Sequence, residues 1–66
     1  MKLIMKTEFD DLRLNDNHTY ETDRNGEKQV IKIYSDEQLI AKKVTLKKSV
    51  RYFGANNYHL FLSQQH

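Results

Sequence analysis

The stretch QVIKIYSDEQLIAKKVTLKKSVRYF, residues 29–53, decides the fold of this chain. From Leu39 to Phe53, five of the seven even-numbered side chains are apolar, whereas the odd-numbered ones are mostly polar or small. Alternation with a period of two is typical of a strand that is buried on one face. The stretch therefore predicts a β-hairpin with a turn at SDEQ, residues 35–38, and an unusually long second strand over residues 39–53.

A helix is the competing interpretation of residues 39–53, because four of their apolar side chains fall at roughly helical spacing. It would place Lys43 inside the apolar stripe. It would also use the β-branched residues Val44, Thr45 and Val50, which favour strands. We therefore expect a strand.

The dipeptide Asn25-Gly26 is the clearest local turn signal, since a type I′ hairpin turn needs a positive φ at both central residues. A turn there pairs Tyr20 with Ile31. The apolar residues Tyr20, Ile31 and Ile33 then share one face, opposite a mostly charged face that carries Val30 among others.

The SDEQ turn is predicted to be either a tight turn on Asp36-Glu37 or a four-residue loop, and both give the same register. That register pairs Ile33 with Ile40. A slip by one residue would set Lys32 opposite Lys42, a destabilising like-charge pair. One shared face is therefore expected for Ile31, Ile33, Ile40, Val44 and Leu46.

The two ends of the chain give weaker signals. Residues 2–6 predict a short strand, and residues 7–14 fit either a two-turn helix or an extended segment. The turn at residues 54–57 leaves several registers open. Residues 58–63 alternate like a strand, and residues 64–66 are expected to fray.

The expected fold is therefore mostly β: a small antiparallel sheet of four to five strands, arranged as a meander of hairpins that begin near residues 18, 27, 39 and 58. The N-terminal segment supplies a fifth strand or a short helix. Residues 1–66 form one domain. A domain of this size buries only about 60% of its unfolded surface, so we expect a homodimer, with residues 39–53 or the C-terminal strand near its interface.

Charge is unevenly distributed. Residues 1–37 hold nine acids and six bases, whereas residues 38–66 hold five bases and no acid. Bases beside aromatic side chains are typical of nucleic-acid-binding sheets. The bases of the long strand nevertheless divide between its two faces, and strand lysines also protect sheet edges. The candidate binding surface predicted from this pattern consists of Lys43, Lys47, Arg51, Phe53 and Tyr58.

Catalysis is not indicated. The chain has no cysteine, two glycines and no phosphate-binding glycine loop, so we expect no enzyme activity, no cofactor and no metal site. The adjacent acids Asp10-Asp11 and Asp36-Glu37 do not form a ready acid/base pair. His18 is expected to be a partly buried packing residue.

The sequence therefore favours a small non-enzymatic protein-binding module, an inhibitor or adaptor that docks on a larger protein. The alternative is a nucleic-acid-binding β domain that uses the basic strand 42–51. The apolar run within the N-terminal MKLIMK is too short for a signal peptide or a membrane span. We therefore expect a cytoplasmic location and no membrane contact. The small format is compatible with a phage or mobile-element product.

Overall fold

The computed structural model describes residues 1–63, so the predicted fraying of residues 64–66 lies outside the described residues. Within them, one antiparallel sheet has the strand order β1-β5-β4-β3-β2. The fold class is confirmed, and the N-terminal segment supplies both a strand and a helix. The elements are β1 (Lys2–Leu3), α1 (Lys6–Arg13), β2 (Thr19–Asn25), β3 (Lys28–Ser35), β4 (Gln38–Leu46), β5 (Ser49–Gly54) and a 3₁₀-helix (Tyr58–Phe61).

The β2–β3 hairpin turns one residue later than predicted. Its central residues are Gly26 and Glu27, and the positive φ of 62° falls on Gly26. Glycine at the first central position is the signature of a type II′ turn, whereas the predicted turn was type I′. Tyr20 therefore faces Ile33 and not Ile31. Because the partner changes by two residues, each side chain stays on its predicted face.

A β-bulge changes the register of β3 with β4. Tyr34 faces Leu39 as predicted, but Ile33 faces Ala41, which leaves Ile40 as an extra residue. Ile33, Ile40 and Ala41 are all fully buried, so the bulge directs two consecutive β4 side chains into the core. The predicted Ile33–Ile40 pairing was therefore wrong.

The bulge sets Lys32 opposite Lys42, the like-charge pair that was expected to exclude this register. The two ammonium groups turn to different partners. Lys32 Nζ lies 3.6 Å from Asp23 Oδ2, and Lys42 Nζ lies 5.6 Å from the centre of the Phe53 ring. An ion pair and a cation–π contact offset the repulsion between the two lysines.

The predicted long strand over residues 39–53 is two strands, β4 and β5, joined by a tight turn of Lys47 and Lys48. Lys47 takes a left-handed conformation with a φ of 55°. The turn was missed because neither residue is glycine, asparagine or aspartate, the types that tolerate a positive φ. The Lys47 ammonium lies 3.8 Å from the Glu27 carboxylate of the neighbouring hairpin turn.

The C-terminal segment is a 3₁₀-helix and not the predicted strand over residues 58–63. A fourth hairpin strand would lie beside β5, but β1 occupies that edge by pairing Leu3 with Phe53. The segment packs on the core through Tyr58, Phe61 and Leu62, whose i, i+3, i+4 spacing is helical.

For residues 7–14, where helix and extended chain were both open, the structure has helix α1. The Met5 N–H donates to the Glu8 carboxylate at 2.9 Å, which satisfies a free donor at the helix start. Phe9 and Leu12, three residues apart, bury the same side of the helix. Burial of this side against the sheet favours the helix over the extended alternative.

Helix α1 and the 3₁₀-helix both lie on one face of the sheet, here called the covered face. The core consists of Phe9 and Leu12 from the helix and of Ile33, Ile40 and Ala41 from the sheet. Residues that pair directly across two strands point to the same face of the sheet. The strand register therefore assigns each remaining strand residue to the covered face or to the opposite one. Beyond the bulge, Val44 and Leu46 point away from the core, so the single face predicted for them and Ile31 was wrong.

Candidate functional site

The opposite face of the sheet, here called the open face, is not covered by any element of residues 1–63. None of its side chains belongs to the core cluster. Its apolar centre is formed by half-buried side chains of β3, β4 and β5: Val30, Tyr34, Leu39, Val44 and Phe53. Leu3 and Leu46 extend this centre and are 64% and 49% exposed.

Charged side chains surround the apolar centre in an ordered way. One row of paired residues crosses the sheet as Asp23, Val30, Val44 and Arg51, acid at one end and base at the other. The open face as a whole carries two acids, both on β2, and four bases, on β3 to β5. The acids are Glu21 and Asp23, and the bases are Lys28, Lys32, Lys42 and Arg51.

The acids of β2 contact their neighbours on β3. Asp23 forms the ion pair with Lys32, and the Tyr34 hydroxyl donates to Glu21 Oε1 at 3.2 Å. Partial removal of the Tyr34 hydroxyl from solvent raises its pKa, and the adjacent Glu21 carboxylate raises that pKa further. The phenol is therefore a hydrogen-bond donor throughout the neutral range.

The structure separates the five residues of the predicted binding surface. Arg51 and Phe53 lie on the open face. Lys43 lies on the covered face, where its ammonium is 5.8 Å from the centre of the Tyr52 ring. Lys47 is a central residue of the β4–β5 turn. The five residues therefore do not form one continuous surface.

Tyr58 is engaged at the start of helix α1. Its hydroxyl donates to Glu8 Oε2 at 2.6 Å, and the Lys2 ammonium lies 5.4 Å from its ring centre. The Met5 N–H bond first, and then the Tyr58 hydroxyl, lower the pKa of Glu8. The same hydrogen bond raises the pKa of Tyr58. These contacts attach the 3₁₀-helix to α1.

The open-face residues that the sequence analysis did not select are Val30, Tyr34, Leu39, Lys42 and Val44. The alternation of apolar and polar residues along β3 and β4 was visible. Its assignment to the face away from the core depended on the bulge at Ile40, which no local signal indicates. Val44 was therefore assigned to the core side, whereas Val30 was placed on the correct face but was left out of the predicted binding surface.

Several titratable groups elsewhere make structural contacts. His18 is 8% exposed, and its Nδ1 lies 2.8 Å from the Leu12 carbonyl oxygen. A carbonyl only accepts, so Nδ1 donates. Asp10 pairs with Lys6, whereas Asp11 binds Ser63. Among residues 1–63, no three His, Cys, Asp or Glu side chains are arranged to hold a metal ion.

No helix within residues 1–63 is long and apolar enough to cross a membrane. No protein-family model matches the chain. Searches of the curated proteins and of the solved structures also gave no significant match. Function is therefore inferred from the open face itself.

Proposed function

We propose that this chain is a small non-enzymatic protein-binding module that docks on an acidic patch of a partner protein through its open face. The observation that carries the proposal is an apolar centre without a covering layer, bordered by more bases than acids. Protein interfaces combine an apolar centre with a polar rim in this way. An inhibitor or adaptor with a cytoplasmic site of action, as expected from the sequence, needs no more than such a surface.

The charge of the open face favours an acidic partner over a second copy of the chain. Four bases and two acids leave each open face positive, so two faces packed together would double that excess. Desolvating like charges in an interface costs free energy. A carboxylate-rich patch would instead complement Lys42 and Arg51. The homodimer expected from the thin core stays a prediction.

The same placement makes nucleic acid the weaker candidate. Stacking platforms present several aromatic rings to the bases. The aromatics that follow the lysines in sequence are mostly occupied elsewhere: Tyr52 packs on Phe9 at 5.3 Å between ring centres, and Phe61 packs on His18 at 6.1 Å. Phe53 remains on the open face, with the Lys42 ammonium above it.

The proposal is tested by NMR titration of the isotopically labelled chain with a synthetic peptide of alternating glutamate and leucine. We expect the largest amide shifts in β3, β4 and β5. Arg51→Glu should weaken binding roughly tenfold, because it reverses a charge beside the apolar centre. Lys48→Glu is the matched control, since Lys48 lies in the β4–β5 turn and its reversal changes net charge equally.

Capture from a cytosolic extract with the same variants extends the test. A protein retained at 150 mM salt by the original chain and by Lys48→Glu, but lost by Arg51→Glu, supports the proposal. Equal loss of the captured protein with both variants would mean that it binds only by general charge attraction. Tighter, salt-graded binding to a mixed oligonucleotide pool would favour nucleic acid. A dimer that forms through the open face would favour a second copy.

A further inference from the structure

Strand β2 forms a full-length open edge of the sheet. It lies last in the strand order, and all seven of its residues, Thr19–Asn25, are exposed. No strand within residues 1–63 pairs with its outer side. The other edge differs, because β1 covers part of β5 by pairing Leu3 with Phe53. A row of unpaired backbone donors and acceptors of this length is a template for another strand.

The charges of β2 argue against a second copy as that strand. In a symmetric antiparallel pair, the two-fold axis passes through one residue and its own copy, so that residue faces itself. Three registers pair five or more residues of β2, and they centre on Glu21, Thr22 or Asp23. The first and the last set a carboxylate opposite its own copy, and centring on Thr22 sets Glu21 opposite Asp23. Like charges directly opposite destabilise a ladder.

We propose that the outer edge of β2 accepts a strand from another protein, with lysine or arginine at the two positions opposite Glu21 and Asp23. These acids point to the same face, with Thr22 between them. A complementary strand is therefore basic at alternate positions. Between its bases it carries a β-branched residue opposite Thr22, the pairing that suits a strand. Main-chain hydrogen bonds would supply affinity, and the two charge pairs would supply register.

Both carboxylates can still accept contacts from an added strand, although they already contact β3. The Asp23 side chain is 63% exposed and lies 3.6 Å from the Lys32 ammonium, and Glu21 accepts one hydrogen bond from Tyr34. An ionised carboxylate has about four acceptor positions, so one contact leaves the others free. Glu21 and Asp23 point to the open face, but the inference does not depend on the open-face proposal, because the added strand would pair with the outer backbone edge of β2 and not with the apolar centre.

The test uses a blocked, fluorescent heptapeptide of alternating lysine and valine, followed by anisotropy and by hydrogen exchange of the full chain. We expect binding with slower exchange confined to β2. The double variant Glu21→Lys, Asp23→Lys should weaken binding roughly tenfold or more, since two favourable pairs become repulsive. Lys48→Glu, in the β4–β5 turn, should leave peptide binding without loss.

A peptide with N-methyl groups at alternate residues separates strand pairing from charge attraction. It keeps every charge but lacks the N–H donors on one side, so strand pairing predicts loss of binding. Equal binding of the methylated peptide would overturn the proposal. So would an absence of binding at millimolar peptide, which would mean that Glu21 and Asp23 only protect the edge. Neither outcome alters the Arg51→Glu test of the open face.

Discussion

The two faces of the sheet differ in what covers them. On the covered face, α1 and the 3₁₀-helix bury Ile33 and Ile40 completely, together with Phe9 and Leu12 of the helix. On the open face, Val44 and Leu39 are only half-buried, shielded by their neighbours in the sheet. Apolar area removed from water is what stabilises a fold. The comparison teaches that one face supplies most of the stability, so side chains on the other face can change at smaller cost to folding.

The largest effect is expected from a matched pair of leucine substitutions. Leu12→Ala on α1 leaves a cavity in a fully buried site and should cost about 2–5 kcal/mol of the free energy of unfolding. Leu39→Ala on the open face should cost less than about 1.5 kcal/mol, because its side chain is already partly hydrated. Urea denaturation followed by circular dichroism measures both.

A domain of this size tolerates little loss, so Leu12→Ala is expected to unfold in a large fraction of molecules. Leu12→Met keeps the volume and should remain folded with a loss under about 1.5 kcal/mol. Similar losses for Leu12→Ala and Leu39→Ala would mean that the open face contributes as much stability as the core, and the comparison would fail.

The next effect concerns the two glycines. A Cβ on Gly54 would lie 2.8 Å from Tyr58 Cγ and 2.9 Å from Ile4 Cγ2, and these atoms belong to packed stems of side chains. Gly54→Ala should therefore cost about 1–3 kcal/mol by overpacking the covered face. Gly26→Ala meets no atom within 4 Å and is strained only by its φ of 62°, so about 1–2 kcal/mol is expected.

The two glycine variants are distinguished by where the damage appears. For Gly54→Ala, amide exchange should accelerate at Ile4, just after β1, and in the 3₁₀-helix, because the Ile4 and Tyr58 side chains must move. For Gly26→Ala it should accelerate only near the β2–β3 turn. Faster exchange of the 3₁₀-helix in Gly26→Ala would show that the turn and the covered face are coupled.

The smallest effect is pH-dependent. The pKa of Glu8 is lowered in the folded chain, mainly by the Met5 N–H and then by Tyr58, so its carboxylate stabilises the fold above the unfolded pKa of about 4.3. That contribution is lost as the pH falls through the lower, folded value. Glu8→Gln should flatten this part of the stability curve, with a loss at pH 7 well below that of Gly54→Ala.

Asp16→Asn is the control for Glu8, because Asp16 is exposed in the turn after α1. Its substitution should leave the acid limb of the curve unchanged. An unaltered acid limb in Glu8→Gln as well would mean that the carboxylate contributes nothing measurable to holding the 3₁₀-helix on α1. Thermal unfolding between pH 2.5 and pH 7 supplies the curves.

Alternation along β2 and β3 was sufficient to predict the faces of those strands. The turn lies one residue away from its predicted place, yet Tyr20 and Ile33 share a face as expected, because a shift of two residues preserves side-chain orientation. The tight turn at Asp36-Glu37 was one of two predicted forms, and both residues have a positive φ. Local patterns therefore located the first two turns to within one residue, although the bulge changed the register of the second hairpin.

The rest depended on tertiary contacts that the sequence does not display locally. Lys47 adopts a left-handed conformation that its residue type disfavours. The strand pattern of residues 58–63 competes with a helical spacing, and β1 on the edge of β5 decides between them. The predicted binding surface was divided for the same reason: only Arg51 and Phe53 reach the open face.

The bulge at Ile40 has a consequence for how this chain can evolve. Ile40 and Ala41 point into the core, whereas Val44, three residues after Ala41, lies on the open face. Deleting Ile40 would restore regular pairing, because Leu39 already faces Tyr34 and Ala41 already faces Ile33. The rest of β4 would keep its faces, and the core would lose one side chain. The open-face positions of β4 beyond Ala41, such as Lys42 and Val44, can therefore change at small cost to the core. Under the proposed docking role, single substitutions there would alter the binding preference.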